Sequence, residues 1–249
     1  MGIFDQNRDL KNFPRQTPVS AFLIASVTLM FFVLVFDGGF TSINMFNYGA
    51  LYEPAVFEQG EWWRIFTVMF LHGSISHYIF NTIFGLFIIG SALERFIGSF
   101  KYALVYFISG IGSSFTILLF YFFSGDPVLT VGASGAIYGV LGTFLYLTIN
   151  HPEKFNPRDV SGIKGLIIIN VIFTFLASGI SIGGHIGGLI TGYLIAAVLF
   201  KNDAKKKHTF QKRQIYHDPF TDVRNLEDVK TSEEDDDDDD PFAKYDKFS

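Results

Sequence analysis

Five stretches of eighteen residues or more contain no Asp, Glu, Lys or Arg: 19–36, 65–93, 102–125, 127–152 and 165–200. About twenty apolar residues, each rising ~1.5 Å, cross a bilayer as a helix. The last run has 36 residues, roughly 54 Å of helix and too long for one crossing. Its middle reads ASGISIGGHIGG, where clustered glycines favour a break. Six transmembrane helices are therefore predicted, near 19–36, 68–92, 102–123, 133–150, 165–178 and 184–200. The runs are continuously apolar, without the strict alternation of a barrel wall. The fold class is an all-α polytopic bundle.

The charges that remain are unevenly placed. Residues 1–200 hold nine Lys+Arg and ten Asp+Glu, whereas 201–249 hold ten and fourteen. That distribution excludes an ordinary soluble domain and a nucleic-acid binder with a broad basic face. With no Cys, disulfides, thiolate zinc sites and cysteine nucleophiles are excluded too. Lys and Arg cluster in 1–18, 94–101, 150–164 and just after 200, while 37–64 holds only Arg64 and 124–132 and 179–183 hold none. The positive-inside rule then predicts both termini cytoplasmic, in agreement with an even number of spans. Residues 1–18 form a cytoplasmic segment, 19–200 the membrane domain, and 201–249 a cytoplasmic tail. The tail is basic, then acidic over Glu233–Asp240, and its composition reads as disorder. Its Lys-rich start suits anionic lipid. The large loop 37–64 is rich in aromatics, including Trp62 and Trp63, and is expected to be embedded at the membrane interface.

Polar residues inside hydrocarbon are costly and need a reason. Gly132-Ala133-Ser134-Gly135 opens the fourth span. Small residues there serve close helix packing; alternatively, Ser134 is a nucleophile whose helix N-terminus supplies free N–H groups for an oxyanion. His185 opens the sixth span, followed by the GxxxG pair Gly188 and Gly192. Both spans run in the same direction, so Ser134 and His185 enter the bilayer at matched depth as a candidate dyad. Gly188→Val is expected to abolish this pairing and Gly188→Ala to keep part of it. His72, His77 and Asn81 are placed in the second span, with His77 and Asn81 on one helical face. His77 and Asn81 read as oxyanion donors, with His72 facing elsewhere; a metal site from His77 and His185 reads less well, because no Cys and no nearby carboxylate completes it. Glu94-Arg95 reads as an interfacial ion pair or cap.

The strings EWWRIFTVMFLHGSISHYIFN (61–81), GSALERFIG (90–98), VGASGAIYG (131–139) and GGHIGGLITG (183–192) resemble the rhomboid family of intramembrane serine proteases. The resemblance covers spans two to six in order. It implies a six-helix rhomboid-like bundle with a membrane-associated loop between helices one and two. It also implies Ser134 as nucleophile, His185 as general base, and His77 and Asn81 at the oxyanion positions. Tyr138 matches the ring that packs on the catalytic imidazole. Trp63-Arg64 match the loop-one motif, Glu94 its structural acid, and His72 a structural position.

The implied activity is endoproteolysis of transmembrane segments near the outer face of the cell membrane by a Ser-His dyad. No cofactor, metal or nucleic acid is implied; the partners are transmembrane substrates and the lipid bilayer. The alternative is a catalytically inactive relative that binds transmembrane clients; a transporter would be expected to show repeats or broken helices.

Overall fold

The computed structural model describes residues 11–176 and 179–217, with side chains as far as Lys201. Residues 1–10, the end of the fifth expected span at 177–178, and the acidic run at 233–240 lie outside the described residues. Among the described residues there are six long helices: α1 (Pro18–Phe36), α2 (Ile75–Ile97), α3 (Ser99–Ser124), α4 (Ser134–Asn150), α5 (Pro157–Leu176) and α6 (Ile182–His217). Among the described residues the only β pairing is a single bridge, Leu51 with Thr130. Five of the helices are long and apolar enough to cross a bilayer: α1, α2, α3, α5 and the Ile182–Lys201 part of α6. The sixth, α4, has 17 residues, most of them buried inside the bundle, so the other helices of this chain rather than lipid tails surround it.

Local chemistry explains where the helices start. Thr17 precedes α1, but its hydroxyl donates to Phe13 O instead of capping. The cap comes from 75 residues away: Glu94 Oε1 accepts the Val19 N–H at 2.9 Å and Oε2 the Ser20 N–H at 2.7 Å. A buried carboxylate is thus matched to the positive end of a helix. The second span does not run from 68 to 92 as expected. Val68–Phe70 form one 3₁₀ turn, the chain breaks, and α2 begins at Ile75 with the Ser74 hydroxyl accepting the His77 N–H. An uncharged run marks hydrocarbon but cannot reveal a Ser cap inside itself, which is why the break was missed. Between Phe80 and Gly90 the helix widens to π hydrogen bonding. The fifth span starts earlier than expected, at Pro157, whose fixed φ suits a first turn. The predicted glycine break is present: Gly179 adopts φ 75°, and the Ser181 hydroxyl accepts the Gly184 N–H at the start of α6. The α6 backbone stays helical to His217, beyond the expected boundary at 200, through a run without Gly or Pro.

In a membrane, helices associate through close packing more than through the hydrophobic effect. Here α6 meets α4 backbone to backbone: a Cβ on Gly188 would overlap the Gly135 carbonyl, and one on Gly192 the Gly139 carbonyl. Thr143 reinforces the seam by donating to Gly192 O at 3.1 Å. Loop 37–64 is gathered by buried Arg64. Its Nη1 donates to the Phe46 and Ala50 carbonyls, its Nε to Glu61, and its guanidinium lies 4.0 Å from the Phe46 ring and 4.5 Å from the Trp63 ring. By contrast α5 leaves Ile168, Ile172, Phe175 and Leu176 exposed, away from the cavity lined by its Ile169 and Phe173.

Candidate active site

Three helix starts converge on one cavity of about 1470 Å³: His77 is in the first turn of α2, Ser134 is the first residue of α4, and His185 is in the first turn of α6. The starts of α1, α2 and α6 receive side-chain caps, but α4 follows Ala133 and has none. Its first N–H groups are therefore available to a ligand beside Ser134. Partly buried Ser134 and buried His185 both line the cavity, with Asn81 and Tyr138.

Gly132 brings the pieces close. Its φ of 135° is one that a side chain would strain. A Cβ there would sit 2.8 Å from both Cε1 and Nε2 of His77 and 3.5 Å from Ser134 Oγ. The imidazole and the hydroxyl thus share the space that a larger residue would fill. Asn81 donates one amide hydrogen to His77 O at 2.9 Å, fixing its side chain against the same turn. His72 is not on α2; it lies in the break before it, fully buried, with its ring edge-on to His77 at 5.1 Å and to Tyr78 at 5.9 Å.

His185 is held on two sides. The Tyr138 ring stacks on it at 3.9 Å and 17°. Thr174 Oγ1 lies 3.0 Å from Nδ1, and Nε2 is the ring nitrogen without a hydrogen bond among the described residues. No hydrogen bond joins Ser134 to His185 among the described residues, although the residues beside them touch: Gly188 meets the Gly135 carbonyl, and a Cβ on Gly135 would lie 3.5 Å from Gly184 O.

Two residues of this site were not singled out from the sequence. Thr174 sits in an apolar helix, and its only sequence trace is the Asn170–Thr174 spacing of four. Glu53, in the short helix Glu53–Gln59, accepts the Val128 N–H at 2.9 Å and so fastens the segment leading to Ser134. The Leu51–Thr130 pair (2.9 and 2.8 Å) and the Gly132 N–H to Val68 O bond (3.0 Å) continue that seam. A Glu before Pro at a helix start gives no hint of a partner 75 residues on.

Residues 59–202 match the family described as Rhomboid domain. The chain is 39% identical over 188 residues to the "Rhomboid protease GluP" of Bacillus subtilis, covering 75% of this chain and 36% of that protein. It is 30% identical over 203 residues to the "Putative rhomboid protease YdcA" of the same organism, covering 78% of this chain and 94% of that one. The "Rhomboid protease AarA" of Providencia stuartii is 32% identical over 201 residues, covering 70% and 69%. The chain thus spans about a third of GluP but nearly the whole of YdcA. With the family's domain matched over more than half its length, this multi-pass helical chain belongs to the rhomboid family.

Proposed function

We propose that this protein is an intramembrane serine endopeptidase that cleaves transmembrane segments by a Ser134–His185 dyad. The observation that carries the reading is the convergence of Ser134, His77 and His185 at three helix starts around one cavity. In the proposed reaction, His185 Nε2 takes the Ser134 hydroxyl proton and Ser134 Oγ attacks the scissile carbonyl. The oxyanion is held by the His77 side chain, the second amide hydrogen of Asn81 and the uncapped Ser134 N–H. His185 then protonates the leaving amine, and water releases the acyl-enzyme.

A substrate helix must unwind, because a helical carbonyl is already bonded and sterically hidden. The wall before Ser134 suits an extended chain. Val128, Thr130 and Gly132 direct their N–H groups toward loop 37–64 and neighbouring Val68, so the alternation of extended backbone turns those of Leu129 and Val131 the other way. The proposed setting is the cell membrane, with both termini cytoplasmic, loop 37–64 outside and cleavage near the outer face; Lys and Arg distribution supports it. Reporter fusions at residues 50 and 205 should give opposite signals.

The deciding test is fluorophosphonate labelling of the detergent-purified chain. The wild type should label and Ser134→Ala should not; an unlabelled wild type would favour the client-binding alternative. His77→Ala should lower turnover of a dye-labelled single-span transmembrane peptide by about 10²–10³-fold, the usual cost of one oxyanion donor.

A further inference from the structure

Resting on that reading, we infer that Thr174 is a positioning residue that fixes the tautomer of His185, taking through a hydroxyl the place that a carboxylate takes in a triad. A base that accepts a proton at Nε2 must carry its own proton on Nδ1. Among the described residues Nδ1 meets no carboxylate; it meets Thr174 Oγ1 at 3.0 Å, in a position where the threonine is 1% exposed.

Counting protons assigns the direction of that bond. Four short contacts join these groups: Tyr138 Oη to Asn170 O (2.6 Å), Tyr138 Oη to Thr174 Oγ1 (2.6 Å), Thr174 Oγ1 to Asn170 O (3.0 Å), and Thr174 Oγ1 to His185 Nδ1 (3.0 Å). The Asn170 carbonyl only accepts. Suppose first that Thr174 donates to Nδ1. Its hydrogen is then spent, the Thr174–Asn170 oxygen contact is left with no hydrogen, and the single Tyr138 hydrogen must serve the other two oxygen–oxygen contacts. Suppose instead that Nδ1–H donates to Thr174. Thr174 then donates to the Asn170 carbonyl, one helical turn back, and Tyr138 donates to either oxygen. Three hydrogens now serve the four contacts. The second arrangement leaves fewer buried lone pairs facing one another, and it is the one that frees Nε2 toward the cavity.

The same geometry separates two tasks. The Tyr138 ring fixes the plane of the imidazole at 3.9 Å; stacking cannot distinguish the two nitrogens of a ring. The Thr174 hydroxyl does.

The test compares Thr174→Val, which keeps the shape and removes the hydroxyl, with Thr174→Ser, which keeps the hydroxyl. Full-length protein in detergent is assayed by fluorophosphonate–rhodamine labelling rate and by kcat and KM for the dye-labelled transmembrane peptide, with thermal unfolding followed in parallel. Thr174→Val should lose about 10- to 100-fold in kcat and in labelling rate, the scale of one hydrogen bond to a group that becomes charged. KM should stay unchanged and Thr174→Ser should recover most of the rate. Should Thr174→Val fail to fold, Thr174→Ala, which only removes atoms, is read in the same way. Equal rates for wild type and Thr174→Val would overturn the inference, as would equal losses in Thr174→Val and Thr174→Ser. A wild type that neither labels nor cleaves would overturn the proposed function itself.

Discussion

His185 is attached to the rest of the bundle in two different ways. Toward α4, its helix is seated on bare backbone, Gly188 on the Gly135 carbonyl and Gly192 on the Gly139 carbonyl. Toward α5, it is attached by one side-chain hydrogen bond, to Thr174, on a helix that otherwise shows much of its apolar surface to the outside. Backbone cannot move aside without bending a helix, whereas a side chain has rotamers. The first attachment sets how far His185 stands from Ser134, and the second sets how its ring is used once there. A change of the first kind should be all or nothing; one of the second kind should be graded.

The largest effect is expected at Gly188. Gly188→Val should abolish fluorophosphonate labelling, because a displacement of about an ångström costs on the order of 10²-fold or more. The structure also corrects the expectation that Gly188→Ala keeps part of the activity. A single Cβ already overlaps the Gly135 carbonyl, so both variants should lose labelling and unfold at lower temperature. Substantial labelling of the Ala variant would show that the α4–α6 seam yields.

A smaller loss is expected at Gly112 on α3, where a Cβ would crowd the Thr191 side chain of α6 and not its backbone. Gly112→Ala should cost ~1–3 kcal/mol of stability, the usual penalty of overpacking, with labelling partly retained. Adding Thr191→Ala to Gly112→Ala should restore the unfolding temperature. A Gly112→Ala protein as inactive as Gly188→Ala would erase the distinction between backbone and side-chain seams.

The wall before Ser134 offers a pH-dependent version of the side-chain attachment. Burial raises the Glu53 carboxyl above the usual carboxylate range, with the Val128 N–H opposing the shift in part. A carboxyl whose folded value is raised stabilises the fold while it is protonated, and that contribution is lost as pH rises through the raised value. Glu53→Gln, neutral at every pH, should therefore unfold at a temperature that gains on wild type as pH is raised from 4 to 8. A constant difference across that range would remove Glu53 from the titration. The smallest effect is expected for Phe175→Ala on the outer face of α5, where the ring is 60% exposed. Labelling should match wild type; a large loss would mean that this face of α5 supports the site.

The parts of this site differ in how visible they were in the sequence, and for physical reasons. The six helices follow from charge-free runs, since hydrocarbon excludes charge over the whole length of a span. Ser134, His77 and His185 stood out because each is polar and set among small or apolar residues near a span's end. The break before Ile75 stayed hidden because Leu71–Ser74 is as free of charge as the helix it interrupts. Glu94 was readable as a cap or ion pair, but not its target, the N–H groups of Val19 and Ser20. Thr174 was invisible for another reason. A threonine in an apolar helix commonly bonds its own carbonyl four residues back, as this one does with Asn170; only the packing of α5 beside α6 reveals that the same oxygen also meets His185.

The glycine seam also has a consequence for the order in which the protein is made. Synthesis proceeds from the N-terminus, and segments assemble as they emerge. The helix that bears Ser134 is therefore complete before any of α6 exists, and the groove above the Gly135 and Gly139 carbonyls stays vacant until α6 arrives. The imidazole comes with that helix and reaches its place only as the seam closes. On the proposed mechanism, a nascent chain thus carries a serine without its base until α6 is inserted, and proteolytic competence is withheld until that helix has docked.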